Sequence, residues 1–237
     1  MNDLMLHAKQ IAKRFILHLQ HGIQLDVLQQ TELAVHAGEC VTLTGSSGTG
    51  KSTLLKALYG NYLIDAGEIW VWHQGNMIDM ARAQPEKIIA IRRTTIGYVS
   101  QFLRAIPRIA AIDLVAEPLI ERGFSSHDAT SQAAALLERL NIPTRLHGLP
   151  PATFSGGEQQ RVNLARSLIC PWPILLLDEP TASLDIANRN CVIELIREVK
   201  AAGCAVVGIF HDPQLHASVS DRALHFAHTQ PILEAPR

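Results

Sequence analysis

The sequence predicts an α/β fold built on a mainly parallel sheet and interrupted by a helical insert. Three observations carry that expectation. A glycine-rich loop, Gly45-Ser-Ser-Gly-Thr-Gly-Lys-Ser52, stands between a β-branched apolar run and a helical segment. The run Ile174-Leu-Leu-Leu177 is apolar throughout and ends in Asp178 and Glu179, the pattern of a strand buried on both faces. Strand-like and helix-like segments alternate along most of the chain, and such alternation builds parallel sheets from crossover units.

Taken in order, residues 41–44 read as a strand, residues 52–59 as a helix, and Gly60 as its stop. Residues 68–72 alternate like a strand, residues 85–93 suit a short helix, and residues 96–100 form another short strand. From about 109 to 145 the pattern turns helical, with an Ala/Leu-rich stretch at 129–140 that Pro143 ends. A Ser-Gly-Gly turn then opens a helix over 158–169, stopped by Pro171. Strand 174–177, helix 186–200 and strand 205–210 follow.

Bulk properties exclude several classes. With 47% hydrophobic, 18% charged and 5% aromatic residues in 237, the chain suits an aliphatic core rather than disorder. A formal charge of -1 gives no reason to expect nucleic-acid binding. Cys40, Cys170, Cys191 and Cys204 are too widely spaced for a zinc site or a disulfide framework and read as reduced thiols. The apolar run at 174–177 is flanked by Pro171, Pro173 and Asp178, far short of a bilayer span of about 20 residues. The first residues, MNDLMLHAKQ, lack the order of a signal peptide, so a cytoplasmic protein without direct membrane insertion is expected. His18 with His21 and His225 with His228 have no carboxylate partner and read as ordinary surface or core residues.

The loop carries the chemistry of a phosphate site. Its glycines, Gly45, Gly48 and Gly50, let backbone N–H groups of Ser46, Ser47 and Thr49 turn inward around an anion, and the helix starting near Lys51 points its positive end at the same place. Lys51 should reach the β- and γ-phosphates of a nucleotide, the Ser52 hydroxyl should bind Mg2+, and Thr53 completes the nucleotide-binding loop. Asp178 is the expected holder of the magnesium shell, and Glu179 is placed to orient and deprotonate an attacking water. An acidic pair at a strand end is often merely solvated; a phosphate loop in the same chain argues against that here. Ser155 before two glycines is, by its local physics, an anion-binding helix start or an ordinary cap.

With these motifs in place the chain resembles the ABC-type ATPases over essentially its whole length. Phe154-Ser-Gly-Gly-Glu-Gln-Gln-Arg161 is similar to that family's signature LSGGQ, with Phe154 in place of leucine and Glu158 in place of glutamine. The resemblance implies the P-loop NTPase fold of the ABC type, with an antiparallel β subdomain and a helical subdomain. It implies one domain over 1–237, of which about 1–101 and 166–237 form the nucleotide-binding and β part and about 102–165 the helical part. It further implies that Ser155, Gly156 and Gly157, with Glu158 next to them, meet the γ-phosphate held by a second protomer. By the same resemblance Gln101 contacts Mg2+, and Ser183-Leu184-Asp185 crosses the dimer interface. His211 contacts the γ-phosphate during catalysis, and Phe15 stacks on adenine.

A narrower resemblance concerns the job. Residues 91–108, followed by Asp113-Leu-Val-Ala-Glu-Pro118, together with Leu58-Tyr-Gly-Asn-Tyr-Leu63, resemble the L component of the bacterial carbon–phosphorus lyase system. That implies an ATPase assisting phosphonate catabolism, partnered by a lyase core complex and either a second copy or a sister ABC subunit. The alternative is the ATPase subunit of a membrane transporter. A nucleotide-dependent clamp without turnover is a third reading, and a phosphate-loop kinase, which needs neither Ser155-Gly156-Gly157 nor His211, a distant fourth.

Overall fold

Two 14-residue strands, β1 (Leu4–Leu17) and β2 (Ile23–His36), open the chain and pair antiparallel. The computed structural model describes residues 3–17, 22–100, 108–182, 184–210 and 212–227. Neither strand is visible as a clean alternation in the sequence, because their register shifts at several points and Gln10 and Gln30 both sit at φ 48. Each such bulge flips the inward and outward positions, so the period of two is lost. With β4 (Ala66–His73) and β5 (Asn76–Asp79) they form an antiparallel sheet in the order β2-β1-β4-β5.

The second sheet joins β6 (Ile96–Val99), β7 (Ile174–Asp178), β8 (Ala205–Ile209), β3 (Cys40–Thr44) and β9 (Arg222–His225) in that order, with every pairing parallel. β7 is buried at all five positions and splits its side chains between two cores. Ile174 and Leu176 pack with Leu54, Leu55 and Leu58 of α1 (Lys51–Leu58). Leu175 and Leu177 pack with Leu164 and Leu168 of α6 (Gly156–Leu168), beside α3 (Ala111–Ile120) and α4 (Ser126–Arg139). Burial pushes the Cys40 and Cys204 thiols up to about 12, so both serve as apolar packing.

The helical stretch expected from 109 onward divides into three. α3 carries Pro118 and gives way to a turn in which Gly123 has φ +91; Ser125 then caps α4 by accepting from the Asp128 N–H, and α5 (Thr144–His147) follows Pro143. Helices α2 (Pro85–Thr94) and α7 (Ile186–Ala201) lie where the sequence puts them, while β5, β9 and the short α8 (Pro213–Val219) add to that reading.

One glycine on β6 is fixed by packing. A Cβ on Gly97 would lie 2.7 Å from the Trp172 ring, and that ring is pinned by its Nε1 donating to the Ser167 carbonyl at 2.6 Å and by the Arg122 guanidinium 4.2 Å from its centre. Gly97→Ala should therefore destabilise the protein by about 1–3 kcal/mol, the usual cost of overpacking. A urea unfolding midpoint equal to that of the parent would show that Trp172 gives way freely.

Candidate functional site

The glycine-rich loop leaves β3 at Thr44 and enters α1 at Lys51. Gly50 has φ +101, and a Cβ there would lie 2.7 Å from the Val27 carbonyl oxygen, so both the turn and the close approach require glycine. Ser46, Ser47 and Gly48 are exposed, whereas Thr49, Gly50 and Lys51 are buried. The Lys51 ammonium donates to the carbonyls of Gly45 at 2.8 Å and Ser46 at 2.6 Å, and Thr49 Oγ1 donates to the Ser46 carbonyl at 2.9 Å. The cation is thus folded into the loop, which surrounds the N-terminus of α1 with backbone N–H groups and suits an anion.

Asp178 meets this loop through the period of the strand. Alternation places it on the same face of β7 as Leu176 and Ile174, toward α1. Its Oδ1 accepts from Ser52 Oγ at 3.0 Å and its Oδ2 from the Tyr98 hydroxyl at 3.0 Å, while only 6% of the residue is exposed. A hydroxyl and a carboxylate oxygen held together are the hard-oxygen donor set that magnesium takes, so these residues fit the metal. Burial, with the Asp178 carboxylate adding to it, pushes the Tyr98 phenol far above its ordinary range, so it keeps its proton and acts as a donor. Glu179, one residue on, has φ 53 and donates its N–H to the Ile209 carbonyl at 3.2 Å. This left-handed turn takes it off the strand, and it lines a cavity of about 250 Å³ with Thr181, Ala182, Arg189 and Asp212.

Ser155 stands at the head of α6 in a reciprocal cap. Its hydroxyl accepts from the Glu158 N–H at 3.3 Å, and Glu158 Oε2 takes the Ser155 hydroxyl proton at 2.7 Å and its backbone N–H at 2.9 Å. Phe154 is buried beneath, while Ser155 and Gly156 are exposed. Asp185 caps α7 by accepting from the Asn188 N–H at 2.8 Å, and that bond holds its carboxyl below the usual range. Phe15 is half-buried, with its ring edge-to-face against Tyr62 at 5.5 Å and the Lys13 ammonium 5.4 Å from its centre.

The structure therefore brings together Lys51, Ser52 and Asp178, sets Glu179 beside them in sequence on a separate turn, and places Glu158 and Asp185 in helix caps. Gln101, Ser183 and His211 lie outside the described residues. Two side chains were not read from the sequence. Tyr98 lies within an expected strand, where alternation gives its face, shared with Ile96, but not its partner; Tyr62 lies in a loop and offered no periodic signal. No helix among the described residues is long and apolar enough to cross a membrane.

Residues 28–182 match the family model described as ABC transporter. The lipoprotein-releasing system ATP-binding protein LolD of Shewanella sp. (strain MR-4) is 35% identical over 225 residues, covering 94% of each chain. LolD of Ruegeria sp. (strain TM1040) is 37% identical over 203 residues, 85% of this chain and 87% of that one. The macrolide export ATP-binding/permease protein MacB of Neisseria gonorrhoeae is 33% identical over 83% of this chain, which spans only 30% of MacB. A dimeric ATP-binding cassette, MJ0796, bound to ADP and phosphate after hydrolysis, superposes with a TM-score of 0.83 at 28% identity, covering 94% of each chain.

The cap at Ser155 makes a pH prediction. Hydrogen bonds from the Ser155 hydroxyl and N–H hold the Glu158 carboxyl below its usual value of 4.5. A depressed carboxylate contributes its stability fully above the unfolded pKa and loses it as pH falls through the folded one. Below pH 4.5 the parent should therefore lose stability faster than Glu158→Gln, which caps without titrating. Parallel slopes of urea midpoint against pH would remove Glu158 as the cause.

Proposed function

The chain belongs to the ABC transporter family, and from that premise we propose that it is the ATP-binding and ATP-hydrolysing subunit of a machine that serves a membrane permease and works as a pair of cassettes. The observation that carries this reading is the convergence of Lys51, Ser52 and Asp178 at one end of the parallel sheet. Relatives named as ATP-binding proteins of transport systems support the permease as partner, and one of them matches along 94% of both chains. The dimeric cassette of the same fold supports the pairing.

In this reading Lys51 exchanges its two carbonyl partners for β- and γ-phosphate oxygens, while the loop N–H groups from Gly45 to Thr53 enclose the triphosphate. Ser52 and Asp178, with Gln101, hold Mg2+, which when bound neutralises the charge on the phosphates. Glu179 orients and deprotonates the water, and His211 contacts the γ-phosphate. Ser155, Gly156 and Gly157 of a second protomer close on that phosphate, with Asp185 at the interface and Phe15 under the adenine. The helical part, about 102–165, is the moving arm that carries Ser155 into place and passes closure to the partner.

The residues around Gln101 favour a second reading, in which the same ATPase assists a phosphonate-processing carbon–phosphorus lyase complex. Its support is the resemblance of 91–108 and 113–118, whereas the relatives above are transport ATPases. Affinity capture from detergent-solubilised cells separates the two. The transport reading expects an integral membrane permease with the chain; recovery of a phosphonate-processing complex in its place would overturn it in favour of the second.

Glu179→Gln is expected to slow ATP turnover by about 10² to 10⁴, the range for a lost general base, and to accumulate an ATP-dependent dimer on size exclusion. Turnover at the parent rate would dismiss Glu179 as the base.

A further inference from the structure

Asp178 is a buried carboxylate whose two oxygens each take one side-chain donor among the described residues, Ser52 on Oδ1 and Tyr98 on Oδ2. Tyr98 comes from β6, where it pairs in register with Leu176, two residues before Asp178, and so shares its face. Its ring is itself fixed. It stacks on Tyr59 with centres 5.0 Å apart and planes 26° apart. Tyr59 follows the last residue of α1 and is held by α2, through Arg92 Nε on the Tyr59 carbonyl at 2.8 Å and the Arg92 guanidinium 4.7 Å from the Tyr59 ring centre.

A carboxylate bound at one oxygen turns readily, because its terminal torsion is broad and two-fold. A second donor on a braced ring removes that freedom. We propose that Tyr98 is a positioning residue for the magnesium site: its hydroxyl clamps one oxygen of Asp178 so that the other stays aimed at Ser52. The inference rests on the reading of Asp178 and Ser52 as the magnesium-holding pair. The Tyr98 hydroxyl spends its proton on Asp178, so it acts on the metal through the carboxylate and never as a ligand. Partners that orient metal-holding carboxylates change metal affinity by about 10- to 100-fold when removed.

The test uses the full chain with Mn2+ as the probe and ADP as the nucleotide, so that no turnover is needed, and free Mn2+ is read by electron paramagnetic resonance. Tyr98→Phe keeps the stacked ring and loses only the hydroxyl. It should weaken Mn2+ binding about 10-fold or more, while ADP affinity in EDTA stays at the parent value. A variant with a lower unfolding midpoint but parent Mn2+ affinity would reduce the Tyr98 bond to a structural one and overturn the proposal. Asp178→Asn separates the layers. If it weakens Mn2+ binding and Tyr98→Phe does not, only the present inference falls; if Asp178→Asn leaves Mn2+ affinity intact, the magnesium reading of Asp178 fails and this inference fails with it.

Discussion

One hydrogen bond, from Ser52 Oγ to Asp178 Oδ1 at 3.0 Å, joins residues 126 positions apart, and the site depends on what makes that bond possible. β3, which leads into the loop, and β7, which carries Asp178, are not neighbours; β8 lies between them. The bond forms because α1 leaves the loop and crosses the sheet with Leu54, Leu55 and Leu58 buried against Ile174 and Leu176. Apolar burial at about 25 cal/mol per Å² sets the position of the helix. The polar contact is then made at the one place where the strand surfaces and a carboxylate can meet the first turn.

The same strand faces a second core on its other side. Leu175 and Leu177 pack with α6, whose first turn begins at Ser155. A displacement of the helical arm therefore bears on the strand that holds Asp178, and a change at Asp178 bears on the arm. Arg166 on α6 pairs with Glu117 of α3 at 2.7 Å and holds the arm's helices together, while Asn163, donating to the Ser100 carbonyl at 2.7 Å, ties α6 to the end of β6 as well. Packed interiors shift between discrete arrangements rather than deform smoothly. Under the proposed closure, this sandwich would give movement of the arm a physical route to the site.

Much of this was legible in the sequence because burial leaves a simple mark. A run such as Ile174-Leu-Leu-Leu177 is buried on both faces, and a Gly-rich loop before a helix has few other uses. The two long strands β1 and β2 were not legible, since bulges at Gln10 and Gln30 break the alternation that would have announced them. Tyr98 escaped for a different reason. Its importance lies in a partner 80 residues away in sequence, and only the parallel register of β6 with β7 brings the two together.

Glu158 shows how one substitution within a recognisable motif changes its local physics. A hydroxyl has one proton, and Ser155 gives its proton to Glu158 Oε2 at 2.7 Å. The backbone N–H of Ser155 goes to the same oxygen. The head of α6 is therefore already served by a negative charge of its own, which the helix dipole favours. Under the proposed closure, a γ-phosphate approaching from the partner protomer meets that carboxylate first. Ser155 can donate to the phosphate only by giving up Glu158, and the two anions repel at close range in a space that closure has dried. Gly156 and Gly157 are different, because the N–H groups of a first helical turn have no partner within the helix. Backbone donors are thus ready for the phosphate from the outset, and the Ser155 hydroxyl becomes available only as the cap opens. A glutamine at this position would cap the helix without the charge, so under the proposed closure Glu158 would make the closed state harder to reach and easier to leave than the glutamine form of the motif would.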